Sequence, residues 1–285
     1  MKKSLIKGEK GILLLLFGVC LLVWIPLLSM TAAALMPEDE LCWRYLSPLG
    51  LGQAPVKAAL LPSYPSAEAL AELLLRSPGF FVMFWNSCIQ VVPMVLGQLL
   101  VGAPAAWAFA RFRFPGRKLL FAVYVILMVL PFQVTQVSSY LVLDRLGLLD
   151  SHLALIVPGI WAALPVFIME RSFEAIPETL LEAAYLDGAG EWGAFFHVGL
   201  PLGYPGIVTA LLLSFIEGWN GLEQPLTYLK DKTLWPLSLY LPDIAADKGA
   251  VAFAAALVTC LLPVLVYLNC QEELEQGVAA SGLKE

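Results

Sequence analysis

Charged residues are scarce in this sequence. Lys, Arg, Asp and Glu make up 14% of its 285 residues, whereas 59% are hydrophobic and the mean hydropathy is +0.78. Soluble domains contain about 25% charged residues, and so few charges could not cover the surface of a soluble fold of this length. Basic residues are fewer than acidic ones, 17 against 23. The resulting net charge of −6 argues against a nucleic-acid partner, which would need a basic surface. The composition therefore predicts a membrane protein.

Signatures of enzymes and metal proteins are also missing. No G-x-x-x-x-G-K-[ST] sequence is present, so the chain cannot itself cradle the phosphates of ATP. No H-E-x-x-H sequence occurs, and the two histidines, His152 and His197, are far apart. The five cysteines form no C-x-x-C pair, and we interpret them as small apolar residues. We expect no catalytic residue, no cofactor and no metal site.

Long apolar runs are abundant. Six of them approach or exceed the ~20 residues that a transmembrane helix needs. They are continuous and lack the alternation of barrel strands, so we assign them to helices. The predicted fold is an all-α membrane protein with six transmembrane helices, at Gly11–Met36, Phe80–Ala110, Leu119–Leu143, Leu153–Met169, Ile207–Trp219 with its flanks, and Ala250–Asn269.

The first run has two interpretations. Four lysines precede it and Thr31-Ala32-Ala33-Ala34 ends it, as in a cleaved signal peptide. Its length and the five runs that follow favour an uncleaved transmembrane helix.

Basic residues near the span ends predict the orientation. The N-terminus carries four lysines, and the link between spans two and three holds Arg111, Arg113, Arg117 and Lys118. The positive-inside rule places both on the cytoplasmic side, with the C-terminus. The predicted divisions are residues 1–36 (N-terminus and first helix), 37–79 (extracytoplasmic segment), 80–270 (core with five helices) and 271–285 (cytoplasmic tail).

The longest inner link, about residues 171–206, predicts a helical hairpin. Pro177 can open a helix at its first position. Leu180, Leu181, Ala184 and Tyr185 follow at helical spacing, and Asp187-Gly188 is a typical helix end. A second short helix is predicted from near Ala189 to Pro201, displaying Trp192, Phe195 and Phe196.

The hairpin combines apolar and acidic surface. Between Pro177 and Pro201 it holds four carboxylates and no Lys or Arg. Periodicity leaves two alternatives open. The hairpin packs on the inner ends of its own helices, or it inserts into a basic-rimmed cleft of a cytoplasmic partner.

A resemblance favours the second alternative. Glu182-Ala183-Ala184, Gly188 and Val198-x-Leu200-Pro201 stand at the spacing EAA-x3-G-x9-I-x-LP. This pattern resembles the EAA motif of binding-protein-dependent ABC importer permeases, with Val198 for Ile as its departure. Asp187 and Ala189 match the common D-G-A variant of the motif.

Other stretches are similar to the maltose-type carbohydrate uptake subfamily. They are Asn86-Ser87, Ala108–Gly116, Leu146–Ser151, Phe173-x-x-Ile176-Pro177 and Trp219-Asn220 with Pro225-Leu226. Trp107 departs from the usual Tyr, and the tail lacks the usual aromatic residue after Gln271.

The resemblance implies a type I ABC importer permease in the cytoplasmic membrane of a prokaryote, transporting a solute that is a sugar or oligosaccharide. Its partners would be a second permease subunit, a cytoplasmic ABC ATPase dimer that hydrolyses ATP, an extracytoplasmic solute-binding protein and membrane lipid. The ATPase-coupling residues implied by the motif are Glu182, Ala183, Ala184, Asp187, Gly188, Ala189, Leu200 and Pro201.

Polar residues within the spans are candidates for the translocation path. Asn86 and Gln90 lie one helical turn apart, and Gln133, Gln136 and Tyr140 form a stripe just after Pro131, which should kink the third span. The alternative is that they make hydrogen bonds between helices.

Other transporter classes compete with this interpretation. An ABC importer of another solute class fits the same motif. A secondary transporter often shows two repeated halves, and no self-similarity between residues 1–140 and 141–285 is evident.

Overall fold

The computed structural model describes residues 2–42, 44, 61–243 and 248–282, and every regular element within these ranges is helical. Residues 43 and 45–60, which belong to the predicted extracytoplasmic segment, and residues 244–247 lie outside the described residues. The helices are α1 (Lys2–Ala34), α2 (Glu38–Leu41), α3 (Glu68–Ala71), α4 (Pro78–Gly97), α5 (Ala103–Arg111), α6 (Arg117–Val129), α7 (Phe132–Arg145), α8 (Leu153–Ile160), α9 (Ala163–Glu174), α10 (Glu178–Leu186), α11 (Glu191–Ala194), α12 (Leu200–Asn220), α13 (Glu223–Tyr228), α14 (Tyr240–Asp243) and α15 (Gly249–Gly282).

The predicted membrane architecture is confirmed. Among the described residues, five helical stretches are long and apolar enough to cross a bilayer: Leu15–Ala34, Pro78–Arg111, Leu153–Glu174, Glu191–Asn220 and Gly249–Gly277. The pair α6 and α7 provides a sixth when it is counted as one bent span.

The third span is broken more sharply than predicted. Its two helices differ in direction by 107°. Leu130 is extended, with φ −67° and ψ 126°, and Pro131 follows with φ −59° and ψ 142°. Proline lacks an N–H and pushes the preceding residue out of the helical region, so the kink expected at this position becomes a break.

The fifth span begins earlier than predicted, and Pro201 does not close the second hairpin helix. The helix that starts at Glu191 continues through a π-helical turn, Phe195–Gly199, into α12 and ends at Asn220. Pro201 directly follows this π-helical turn, and the change of hydrogen-bonding pattern there accommodates its missing N–H within the continuing helix. The predicted hairpin therefore has one short arm, α10, and one arm that is itself a membrane span.

The chain forms two compact units. The first contains the residues up to 80 together with 241–261. In this unit Glu38 caps the start of α15, because Gly249 N and Ala250 N donate to its two carboxylate oxygens at 2.8 Å. A carboxylate is favourable there because the N-terminus of a helix carries partial positive charge. Lys248 Nζ donates to Glu72 Oε1 at 2.6 Å, and this bond joins the residue that follows α3 to the residue that precedes α15.

The second unit contains residues 81–240 and those from 262 onward. An aromatic cluster of Trp107, Phe173 and Phe195 lies in its core, with ring centroids 5.3 to 6.2 Å apart. Glycines on α12 and on the π-helical turn before it allow this close packing. A Cβ at Gly199 would lie 2.6 Å from the Trp107 ring, and one at Gly203 would lie 2.4 Å from the Phe173 ring.

Gly203→Ala should therefore destabilise the protein by about 1–3 kcal/mol, the usual cost of overpacking a filled core. Thermal unfolding of the purified full-length chain in detergent measures the effect. Gly18→Ala is the matched control, because a Cβ there meets nothing within 4 Å. Equal midpoints for the two variants would contradict the packing argument.

Candidate functional site

The EAA segment (residues 177–201) begins with a rigid short helix. α10 starts after Pro177 and ends at Leu186, and Gly188 has φ +88°. Ala189 N donates to Ala184 O at 2.9 Å, and Gly188 N donates to Tyr185 O at 3.0 Å. These two bonds form a Schellman motif, which needs a left-handed residue at the position of Gly188. The predicted helix end at Asp187-Gly188 is confirmed.

The predicted apolar face of α10 is divided. Leu181 is buried and joins the core cluster, whereas Leu180 and Tyr185 are exposed. Leu186 is 89% exposed. The carboxylates of Glu178, Glu182, Asp187 and Glu191 all belong to exposed residues, as does Ala183, while Ala184 and Ala189 are half-buried. One side of α10 thus packs on its own protein, and an acidic surface with an exposed leucine remains.

The three aromatic residues that follow do not share one face. Trp192 and Phe196 are exposed and stacked, with centroids 6.1 Å apart and an interplanar angle of 26°. Phe195 is buried against Trp107 and Phe173, so the prediction that it is displayed is wrong. The helix continues into the membrane span, and this continuation turns Phe195 into the core. Further along, Leu200 is half-buried and Pro201 is exposed.

Arg111 ties this segment to the second span. Its Nη2 donates to the carbonyls of Phe173 and Ile176 at 2.5 Å, and its guanidinium lies 5.8 Å from the centroid of the Trp107 ring. The two carbonyls end α9 just before Pro177. In the sequence, Arg111 served only as evidence for the orientation of the chain in the membrane. Its place four residues after Trp107, on the same helical face, was the available sign of this role.

The polar residues of the second span hold a loop. Asn86 Nδ2 donates to the carbonyls of Thr233 and Trp235 at 2.7 and 3.0 Å. Gln90 Nε2 donates to Leu234 O at 2.9 Å and to His152 Nδ1 at 3.0 Å. Both amides are buried. These contacts resemble the alternative of structural hydrogen bonding, but the partner is a short 3-10 helical turn, Lys232–Leu234, and the residue after it rather than a membrane span.

The stripe on α7 faces α13. Gln133 Nε2 donates to both carboxylate oxygens of Glu223 at 2.9 Å, and Gln136 Nε2 donates to Thr227 Oγ1 at 2.5 Å. Tyr140 packs against a small cluster that includes Tyr228. The two sets of predicted path residues therefore have different partners.

A cavity of about 550 Å³ lies between α4, α8, α12 and α13. Gln90 is the member of the predicted path set that lines it, and Gln133 reaches it through Glu223. The other polar lining residues are Gln98, Ser214, Glu217, Asn220, Glu223 and Gln224. The sequence prediction missed Glu217 and Asn220, although a carboxylate in an apolar run is itself a signal. In the part of the chain that the structure describes, no group of His, Cys, Asp and Glu side chains is arranged to hold a metal ion.

Known proteins are similar to this chain in sequence and in fold. The model of the family "Binding-protein-dependent transport system inner membrane component" matches residues 98–277. The chain is 34% identical over 204 residues to the diacetylchitobiose uptake system permease protein of Streptomyces coelicolor, covering 69% of this chain and 67% of that protein. It is 30% identical over 263 residues to a probable ABC transporter permease protein of Pyrococcus horikoshii, covering 89% and 90%.

The fold is also that of a solved transporter. A chain of a bacterial ABC transporter involved in the import of the acidic polysaccharide alginate superposes with a TM-score of 0.77 and 21% identity, covering 95% of this chain and 97% of that one. The family match extends over most of the second unit, including the EAA segment and the cavity-lining helices α8, α12 and α13. The chain is a multi-pass inner-membrane protein and belongs to the family of binding-protein-dependent transport system inner membrane components, the permeases of ABC importers.

Proposed function

We propose that this chain, paired with a second permease subunit, conducts a sugar or oligosaccharide delivered by an extracytoplasmic binding protein, and that a separate cytoplasmic ATPase dimer drives it. In this proposal both termini and the EAA segment lie on the cytoplasmic side. The carbohydrate class is supported by the diacetylchitobiose permease among the relatives. The ATPase is supported by the family, whose members are transport subunits.

The geometry of α10 carries the proposal. The helix is held between Pro177 and the left-handed Gly188, and Leu181 anchors it in the core. Its exposed surface is acidic, with Leu186 protruding. Such a surface complements a groove with a basic rim and an apolar floor. Glu182 and Asp187 would pair with basic groups of the ATPase, and the small side chains of Ala183, Ala184 and Ala189 would permit close approach.

Two connections would carry the motion of α10 into the membrane. Arg111 binds the end of α9 directly before α10, so the second span follows its displacement. The helical stretch Glu191–Asn220 includes Leu200 and Pro201 and runs on to the cavity residues Glu217 and Asn220. One continuous helix thus joins the docking segment to the cavity.

The predicted path residues have separate roles in this proposal. Gln90 lines the cavity and is assigned to the translocation path. Asn86 holds residues 233–235 in place. Gln133, Gln136 and Tyr140 position α13, which brings Glu223 to the cavity wall.

Charge reversal at the docking surface should uncouple the transporter. We expect Glu182→Lys and Gly188→Asp to lower uptake about tenfold or more, because a like-charge contact at an interface costs several kcal/mol and an aspartate at φ +88° strains the turn. Uptake and ATPase activity in proteoliposomes, with immunoblots of membrane fractions, measure the effect.

Glu275→Lys is the matched control, since it makes the same charge change at an exposed position on α15. Normal membrane levels with lost uptake are expected for the two test variants, and normal uptake is expected for the control. Wild-type uptake by both test variants would refute docking through α10.

The contact between Gln90 and His152 predicts a pH dependence. Burial lowers the pKa of His152 below its ordinary value of 6.5, and Nδ1 accepts the Gln90 hydrogen bond only when it is unprotonated. A depressed histidine pKa stabilises the folded state above pH 6.5, and this stabilisation is lost as the pH falls below that value. The effect should be about 0.5–1.5 kcal/mol, the net worth of a hydrogen bond.

Unfolding midpoints of the purified chain between pH 7.5 and 5.5, a window around that ordinary value, measure the dependence. His152→Gln removes the titrating ring and should show a shallower pH dependence than the wild type. Identical slopes for the two proteins would show that this contact does not set the pH response.

A further inference from the structure

The chemistry of the cavity wall selects a class of solute. Resting on the proposed function, we infer that the cavity accepts uncharged or cationic polyhydroxylated solutes, such as neutral sugars and amino sugars, and disfavours anionic ones. The inference concerns the part of the path that this chain supplies.

The charges on the wall have one sign. Glu217 and Glu223 both line the cavity and are exposed. Lys, Arg and His are absent from the described residues that line it. Helix dipoles do not change this sign, because the ends of α12 and α8 at the cavity are matched by the starts of α9 and α13 beside Ala162 and Leu222. An anion entering here would lose hydration without meeting a basic side chain.

The hydrogen-bonding groups of the wall point to the same solutes. Both N–H groups of the Gln90 amide are engaged, by Leu234 O and His152 Nδ1. The amide nitrogens of Gln98 and Asn220 donate to Gly159 O at 2.8 Å and to Ile216 O at 2.9 Å. Four amide N–H groups of the lining residues, both of Gln90 and one each of Gln98 and Asn220, are thus occupied within the protein.

The acceptors remain available. Gln98 is 2% exposed, and its Oε1 has no hydrogen-bond partner among the described residues. Glu217 adds carboxylate oxygens, which only accept. A wall rich in acceptors favours a ligand that donates. Sugar hydroxyls and ammonium groups donate hydrogen bonds, whereas phosphate and carboxylate groups accept them.

The size of the space fits this class. A volume of about 550 Å³ lies within the range of small-molecule sites. The solved transporter of the same fold imports the acidic polysaccharide alginate. We therefore expect this chain to prefer solutes of a different charge from the acidic polysaccharide stated for that transporter.

The charge of the cavity can be measured without knowing the solute. Gln224→Cys places a thiol on the wall, in full-length chain whose five native cysteines are replaced by serine, assembled with its partner subunits in liposomes. Its reaction rates with a cationic and an anionic methanethiosulfonate reagent give a cation-to-anion ratio. Leu226→Cys is the matched control, because it is exposed on the same helix but does not line the cavity.

The ratio at Gln224→Cys should exceed the control ratio about fivefold or more, since each nearby carboxylate changes the local concentration of a monovalent ion about two- to threefold in water. Glu217→Gln and Glu223→Gln should each lower it, and added salt should screen it. Equal ratios at the two positions, or a preference for the anionic reagent, would overturn the inference.

Protection of Gln224→Cys tests the solute class directly. The probes are diacetylchitobiose, its cationic deacetylated form chitobiose, and an anionic uronic acid disaccharide. The first two should slow labelling and the third should not, while Glu217→Lys should abolish the difference between the charged probes and Glu275→Lys should leave it unchanged. Equal protection by the anionic probe, or protection by none of the three, would refute the inference.

Uptake of the protecting probe by the same liposomes separates this inference from the proposed function. Selective labelling and protection without ATP-dependent uptake would count against the function and leave the selectivity of the cavity standing. Uptake that prefers the anionic probe would support transport and overturn the selectivity.

Discussion

A helix break inside a membrane protein leaves backbone carbonyls that water cannot reach, and the protein itself must satisfy them. This constraint explains the buried polar side chains of the second span and its extension. Gln98 donates to Gly159 O at the end of α8, and Arg111 donates to two carbonyls at the end of α9. Asn86 and Gln90 donate to the carbonyls of residues 233–235. One stretch, Pro78–Arg111, therefore bonds to the ends of two helices, and it also holds residues 233–235, which lie outside the candidate spans.

These bonds also determine what the cavity offers to a solute. When the N–H groups of a side-chain amide bond to the carbonyls of a broken helix, its oxygen remains, and this oxygen accepts hydrogen bonds. Breaks between α8 and α9 and after α12 supply the space, and the same amides that stabilise those breaks set its chemistry. Structural support and solute preference thus have a common origin.

Local rules predicted the features that depend on a few adjacent residues. The end of α10 at Asp187-Gly188 and the interruption at Pro131 follow from the backbone preferences of glycine and proline. The spacing of Glu182, Gly188 and Pro201 identified the family, which the comparisons confirm. Apolar runs located the spans because hydrophobic length is required whatever the tertiary packing. The same local rules misjudged Pro201, because a π-helical turn earlier in the helix accommodates it.

The sequence by itself determined the membrane class, the number of spans, the family and the acidic character of the EAA segment, since each of these depends on composition or on short-range spacing. Tertiary structure alone decided that Phe195 turns inward, that Asn86 and Gln90 hold a distant loop, and that Glu217, Asn220 and Glu223 share one cavity. Each of these features depends on packing against helices that are distant in the chain, and the partner of a side chain is set by which helices pack together rather than by its neighbours in sequence.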